Sequence, residues 1–567
     1  MSSALRQPAV ASPPRPHTVA QPRWRPRPRL YAYAAILIGA FVRAAHVLSA
    51  GFPLNDGGLF FRMTQELQAA NYHLPAFTTY NNASIPFAYS PLGFYVAGGI
   101  NSLTGIPLLD LFRFIPLVAT ILSVVAFYHL ARTMLRDEQA AAAAVFAFAL
   151  IPRSFVWNVM GGGVTRSLGL LFAIIALQQV YQLYTRREWR YAATSGVACA
   201  LTVLTHLSTA NFLAFSIVLF FAFYGRHRFG ILSSAVVLVA TVALTAPWWT
   251  AVVAAHGLAP FHAAGSVSGS IFGDKLARYD VLLRLAQFNT SIGGEAFFPL
   301  VSVVALIGAF ASLRPGQIIL PVWWVLITAL DARGGMSYAP VATALLAGVG
   351  MAHVIIPGLR SLYRAPASLH RAQASLGPDA AVSHSLVRSN AVAPLLRFVP
   401  ALVLVFLLLY GMAGALTRNS DYGGETASLT ALIPADRHAM QWVAQHTPIS
   451  SSFLVVSGKT WAVDKVSEWF PALANRTSIS TIQGSEWLPG FPRKLVLNDV
   501  FQKRCRTADG GCLTRWSEAL GSRPFTGVYV PKTGDEPCCT PLITALRNDP
   551  SYVTIYDAEG AFIAERR

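Results

Sequence analysis

The chain has 567 residues, of which 54% are hydrophobic and only 12% charged, and its mean hydropathy is +0.47. A water-soluble globule of this length has no interior large enough to hide so much apolar surface, so composition implies a polytopic membrane protein. The formal net charge of +18 does not mark a nucleic-acid partner, because the arginines fall in short clusters between apolar runs rather than along one phosphate-tracking face.

Residues 1–29 form a proline-rich basic arm with Arg15, Arg23, Arg25, Arg27 and Arg29, expected to be disordered and cytoplasmic. The apolar run 30–50 follows, long enough to cross a bilayer at roughly 20 residues per span. Arg43 and His46 interrupt it without a small-residue cleavage pattern, so it reads as an anchor rather than a cleaved signal. The positive-inside rule then sends Asp56, in FPLNDGGLFFR, to the extracytoplasmic side.

Later basic clusters mark cytoplasmic turns: Arg132 and Arg136; Arg186, Arg187 and Arg190; Arg226 and Arg228; Arg314; and Arg360, Arg364 and Arg371. Between them spans are expected at 111–132, 139–157, 167–185, 191–207, 209–224, 230–252, 296–313, 318–330, 337–357 and 397–416. With the first, these make about eleven transmembrane helices and leave the C-terminus outside. The run 89–103 has three glycines, and counting it as a crossing would invert every later cluster. It reads as a re-entrant or interfacial helix within one external loop, 51–110. The external segment 248–295 is expected to hold an amphipathic helix at 275–288, and the stretch 359–397 to be a flexible, lipid-facing insertion.

The order of features in the first loop, Asp56-Gly57-Gly58 and then Tyr89-Ser90-Pro91-Leu92 ahead of Arg113, resembles the glycosyltransferase C superfamily. Its members take a sugar from a polyprenyl phosphate or pyrophosphate carrier and include the protein mannosyltransferases and lipid A aminoarabinose transferases. Both segments are degenerate forms of the family's elements, and order and sidedness carry the likeness across residues 30–416. The resemblance implies a hexosyl- or pentosyltransferase acting by inverting direct displacement. Its donor would be a polyprenyl-phosphate-linked sugar entering from the membrane lipids, and its acceptor an extracytoplasmic glycan, lipid or protein. Plasma or inner membrane is the implied location.

Such chemistry needs a base for the acceptor hydroxyl and cations for the departing phosphate. Asp56 is the candidate base or metal ligand; the bland reading is an N-cap of the following helix. Arginine keeps its charge beside lipid and offers paired donors to phosphate. Arg333, with Tyr338 in LDARGGMSYAP, is assigned to the carrier phosphate by the family comparison. Arg166 follows Gly161, Gly162 and Gly163, whose amides can approach an anion. Arg113 follows the first loop. The bland reading of all three is anchoring or salt bridging. His206, Glu295 and Tyr89 are further site-lining candidates, and Glu295 would be the second acid if a divalent metal serves the centre; no dense ligand cluster points to one.

Residues 423–567 read as an extracytoplasmic α/β domain, with helices at 434–446 and 542–548 and strands at 453–456, 527–530, 552–557 and 561–565. Cys505, Cys512, Cys538 and Cys539 suit two disulfides of open pairing, with zinc the weaker alternative. The segment WAVDKVSEWFPALANRTSISTIQGSEW is rich in Trp and charge, which either a sugar-facing surface or packing on the membrane portion explains, and no residue of it is assigned to the site. A transporter or lipid flippase would show related halves, and none is evident; a noncatalytic scaffold has no use for Asp56, Arg166 and Arg333 on one side.

Overall fold

The computed structural model describes residues 28–266, 295, 298–313, 318–330, 335–361, 398–417, 419–422, 425–507, 510–521, 523–533 and 538–567. Among these, six helices are long and apolar enough to cross a membrane: Pro28–Leu48, Leu108–Leu135, Gly163–Arg186, Leu207–Gly225, Arg228–His256 and Ser337–Ser361. Glu138–Leu150, Leu300–Ala311, Ile319–Ala329 and Ala401–Leu416 are shorter apolar helices. Leu37, Phe41, Leu238, Val239, Phe310 and Phe406 stand exposed on such helices, a surface that only lipid covers without cost. The chain is an integral membrane protein.

Burial sorts the helices into centre and rim. In the most apolar window, 72% of Gly163–Arg186, here called the central helix, and 72% of Ser337–Ser361 are buried but only 22% of Arg228–His256, so the first two lie inside the helix bundle and the last faces lipid. Small residues let backbones meet: a Cβ added at Gly308 would lie 1.8 Å from the Leu346 carbonyl of the neighbouring helix Gly335–Gly350.

The helix expected at 139–157 ends at Leu150 instead. Ile151 is extended ahead of Pro152, as a residue before proline prefers, and the chain turns through Pro152–Ser154. The run 89–103 contains a short helix, Leu92–Thr104, inside a loop that also carries the helix Gly58–Ala69. The amphipathic helix at 275–288 and most of the 359–397 stretch lie outside the described residues.

After the helix Val399–Leu416 comes an α/β domain with a five-stranded sheet. Its order is Thr477–Ser478, Ser452–Val455, Gly527–Pro531, Ala561–Arg566, Tyr552–Asp557; the first three strands are parallel and the last two join antiparallel. Helices form at Pro434–His446, Lys465–Leu473, Phe491–Cys505, Gly510–Ala519 and Thr540–Asn548. Cys505 is bonded to Cys512, and Cys538 to Cys539; Cys199 is a buried free thiol.

Period-two alternation sends the sheet's faces to different partners. Leu454, Val456, Val528 and Val530 pack with Leu542, Leu546 and Trp516 of the domain itself. Phe453, Val455, Tyr529 and Ile563 join a second core with Trp469 and Phe470 and, from the first loop, Phe52, Leu59, Phe61, Ile85 and Phe94. The loop and the C-terminal domain therefore share one hydrophobic core. Polar contacts seal the seam: Asn81 brackets the sheet edge, donating to the Ser478 carbonyl at 2.9 Å and accepting from the Ser478 N–H at 2.6 Å.

Candidate active site

Asp56 sits between two residues of positive φ, Asn55 at 49° and Gly57 at 124°, a turn that suits asparagine and glycine. The turn directs its carboxylate away from the helix Gly58–Ala69, which receives no side-chain cap, and toward the start of Gly163–Arg186. The N-cap reading of Asp56 is thereby replaced by a tertiary contact. Oδ1 accepts from the Gly162 N–H at 2.9 Å and from Arg166 Nη2 at 3.1 Å, and Oδ2 lies 2.8 Å from Nη1. Both side chains are largely buried, 13% exposed for Asp56 and 9% for Arg166.

The glycine run makes this approach possible. A Cβ at Gly161 would lie 2.1 Å from the Asp56 carbonyl, and one at Gly162 would lie 2.7 Å from Oδ2. The anion received by the Gly162 amide is thus Asp56 itself. Arg166 is held from behind, with Nε and Nη2 donating to the Trp157 carbonyl and the guanidinium 4.4 Å from the Trp157 ring centroid.

The C-terminal domain reaches the same place. Glu468, on Lys465–Leu473, accepts from the Gly57 N–H through Oε1 at 2.9 Å, and its neighbour Trp469 donates its indole N–H to the Asn55 carbonyl at 3.0 Å. Tyr80 donates to the Glu468 carbonyl at 2.6 Å. Burial holds the Glu468 carboxyl well above the usual range, and the Asp56 charge adds to the effect. Tyr89 donates to the carboxylate of Glu486 and meets Trp487 ring to edge at 4.9 Å. Its phenol is raised by burial and then by Glu486.

Glu468 and Glu486 are absent from the sequence-derived set. Their signal is a repeated tripeptide, Ser-Glu-Trp, at 467–469 and again at 485–487. One copy lies in a helix and the other in the turn Ser485–Trp487, so no periodicity links them.

A second polar group lies around His206, between the helices Trp189–Thr205 and Leu207–Phe220. The Tyr338 hydroxyl is 2.9 Å from Thr209 Oγ1, 3.2 Å from Ser208 Oγ and 3.4 Å from His206 Nδ1. This group abuts the Arg166 helix one turn on: a Cβ at Gly169 would lie 2.9 Å from that of His206.

The other candidates have local partners. Arg113 pairs with Asp110 at 2.9 Å, donates to the Ala50 carbonyl and lies over the Phe114 ring. Glu295 accepts from the Val301 N–H at 3.2 Å, at the start of Leu300–Ala311. The two polar residues that interrupt the first span also have partners: Arg43 donates to the carbonyls of Gly39 and Ala149 and to Ser154 Oγ, while His46 Nε2 lies 2.8 Å from the Ala415 carbonyl. Arg333 and its neighbour Asp331 lie outside the described residues. Among the described residues no three His, Cys, Asp or Glu side chains are grouped to hold a metal.

Residues 88–250 match the family model for dolichyl-phosphate-mannose-protein mannosyltransferase, a stretch holding Tyr89, Arg166 and His206. No curated protein matches the sequence. The fold is similar to that of the archaeal oligosaccharyltransferase AglB from Archaeoglobus fulgidus, in complex with an inhibitory peptide and a dolichol-phosphate. That match has a TM-score of 0.53 and 14% identity and covers 89% of this chain and 69% of that one. It is also similar to ArnT from Cupriavidus metallidurans in the apo state, with a TM-score of 0.50, 14% identity and coverage of 95% and 97%. The chain is thus similar in fold to both of these proteins, and its residues 88–250 are similar to the mannosyltransferase family.

Proposed function

We propose that this protein transfers a sugar from a polyprenyl-phosphate-linked donor to an extracytoplasmic acceptor, with Asp56 as the proton acceptor. The observation that carries the reading is the Asp56 carboxylate, oriented by the Gly162 amide and Arg166 at the seam between the first loop, the central helix and the C-terminal domain. An acceptor hydroxyl attacks the anomeric carbon, its proton passes to Asp56, and the bond between that carbon and the phosphate oxygen breaks. Charge grows on the departing phosphate, which cations must meet.

Arg166 has five N–H groups. Trp157 and Asp56 engage those on Nε and Nη2 and one on Nη1, which among the described residues leaves one Nη1–H for a phosphate oxygen. Its first task is to orient Asp56. In the same reading Arg333 and Tyr338 face the carrier phosphate, with Tyr338 set by Thr209, Ser208 and His206. Arg113, committed to Asp110 and Ala50, serves as an anchor of the loop. That the oligosaccharyltransferase of similar fold was captured with a dolichol-phosphate supports a carrier of that class.

The test is incubation of the purified protein with a panel of radiolabelled polyprenyl-linked sugars, hexoses and pentoses, alongside Asp56→Asn. Transfer from one donor, reduced about 100-fold or more by the substitution, is the expected result. Transfer by Asp56→Asn at the wild-type rate removes the base from the scheme.

A further inference from the structure

We propose that the C-terminal domain is a working part of the transfer site, with Glu468 as the positioning residue that fixes the backbone on either side of Asp56 in concert with Trp469. The inference rests on the reading of Asp56 given above.

Asp56 is gripped at three points. The membrane portion holds its carboxylate through Gly162 and Arg166. The C-terminal domain holds its two flanking peptide groups: Glu468 Oε1 takes the Gly57 N–H on one side, and the Trp469 indole donates to the Asn55 carbonyl on the other. Two adjacent residues of one helix thus clamp residues 55 and 57. Further contacts run the same way, since the Asn55 N–H donates to the Thr430 carbonyl at 2.8 Å and Leu54 bridges Ala431. The helix itself is seated firmly, because Trp469 is fully buried against Phe52 and Phe61. A Cβ at Gly58 would lie 2.6 Å from the Glu468 carbonyl, so the two segments are in direct backbone contact.

Glu468 also sets the charge of the centre. The charged and titratable groups around it are Asp56 and Tyr80 from the first loop, Arg166 from the central helix and Glu486 from the second Ser-Glu-Trp copy. With Glu468 protonated, Arg166 balances Asp56. Its ionisation adds a negative charge where the phosphate must develop its own, so transfer slows on the alkaline side.

The experiment uses the full-length protein and compares E468A, E468Q and W469F. Amide hydrogen exchange over residues 52–60 reads the clamp without reference to activity, and pH-rate profiles read its consequence. E468A is expected to raise exchange over 52–60 and to lower kcat about 100-fold, with the donor KM changed by no more than about threefold. E468Q, whose amide oxygen can still accept from Gly57, is expected to regain about tenfold of that loss and to flatten the alkaline fall. W469F removes the other half of the clamp while keeping a ring in the core, and carries the test if E468A does not accumulate.

Exchange over 52–60 at the wild-type level in E468A, or in W469F where E468A is not obtained, overturns the proposal, as does raised exchange with an unchanged kcat. If Asp56→Asn transfers normally while E468A still loosens 52–60, the base assignment fails and the clamp stands.

Discussion

Arg166 and Asp56 are joined twice across 110 residues of sequence, Nη1 to Oδ2 at 2.8 Å and Nη2 to Oδ1 at 3.1 Å. The pair ties the first loop to the N-terminal end of the central helix. Because the guanidinium is planar, this two-point contact fixes the rotation of the carboxylate as well as its position.

Removing the cation alone leaves a buried carboxylate with, among the described residues, only the Gly162 amide. Arg166→Gln is expected to cost about 3–5 kcal/mol of stability. The double variant Asp56→Asn/Arg166→Gln should melt higher than Arg166→Gln while remaining inactive. Thermal melting in detergent checks this, and a single variant as stable as the wild type would refute the buried pairing.

Gly162 tests the close approach. Its φ of −66° suits any residue, so alanine meets no backbone strain there, yet its methyl would lie 2.7 Å from Asp56 Oδ2 and 2.8 Å from Arg166 Nη1. Gly162→Ala is expected to cost about 1–3 kcal/mol of stability and to reduce transfer about 100-fold. Gly51→Ala, with nothing within 4 Å, is the control. Equal transfer rates for the two variants would show that the contact is dispensable.

Arg43 provides the contrast of a charge used for architecture. Fully buried in the first helix, it donates to Gly39, Ala149 and Ser154 and lies 4.6 Å from the Phe155 ring centroid. Arg43→Gln strips donors from buried carbonyls and is expected to lower stability by about 3 kcal/mol, with the donor KM unchanged. Melting and steady-state kinetics on the same preparation separate the two effects. A raised KM at full stability would move Arg43 into the site.

Glu468 makes stability depend on pH in a definite direction. Its folded carboxyl is raised above the ordinary 4.5, so the stability it contributes is complete below that value and lost as pH rises through the folded value. Glu468→Gln does not ionise. The melting temperature of the wild type should therefore fall relative to the variant as pH increases from about 4.5 upward. A difference that stays flat across this range, or grows in the opposite sense, contradicts a buried Glu468 beside Asp56.

Much of the scaffold is legible along the chain because its signals are local. Runs of apolar residues bounded by arginines mark helices where Leu108–Leu135, Gly163–Arg186 and Arg228–His256 form, and short apolar runs mark the strands Ser452–Val455, Gly527–Pro531 and Ala561–Arg566. The expected helix at 139–157 overruns the observed one because hydropathy outweighed the local veto of Pro152. Asp56 and Arg166 stand out singly, one as a lone acid and the other behind a glycine run.

Their meeting is a different matter. Nothing local in FPLNDGGLFFR says that its carboxylate turns away from the helix it precedes, or that the waiting amide belongs to Gly162. Glu468 and Glu486 sit in a stretch whose Trp content looks like ordinary packing, and packing is part of their job: Trp469 fills the shared core while Glu468 reaches Gly57.

Sequence by itself determined that this chain lives in a membrane, roughly where its helices and strands fall, and which acid and which arginines merit attention, since hydropathy, periodicity and charge act over a few turns. Only the tertiary structure decided that Asp56 pairs with Arg166, and that the C-terminal domain closes over the first loop to grip it. Those contacts join segments separated by 110 and more than 400 residues, and they depend on which hydrophobic faces find each other when the chain packs.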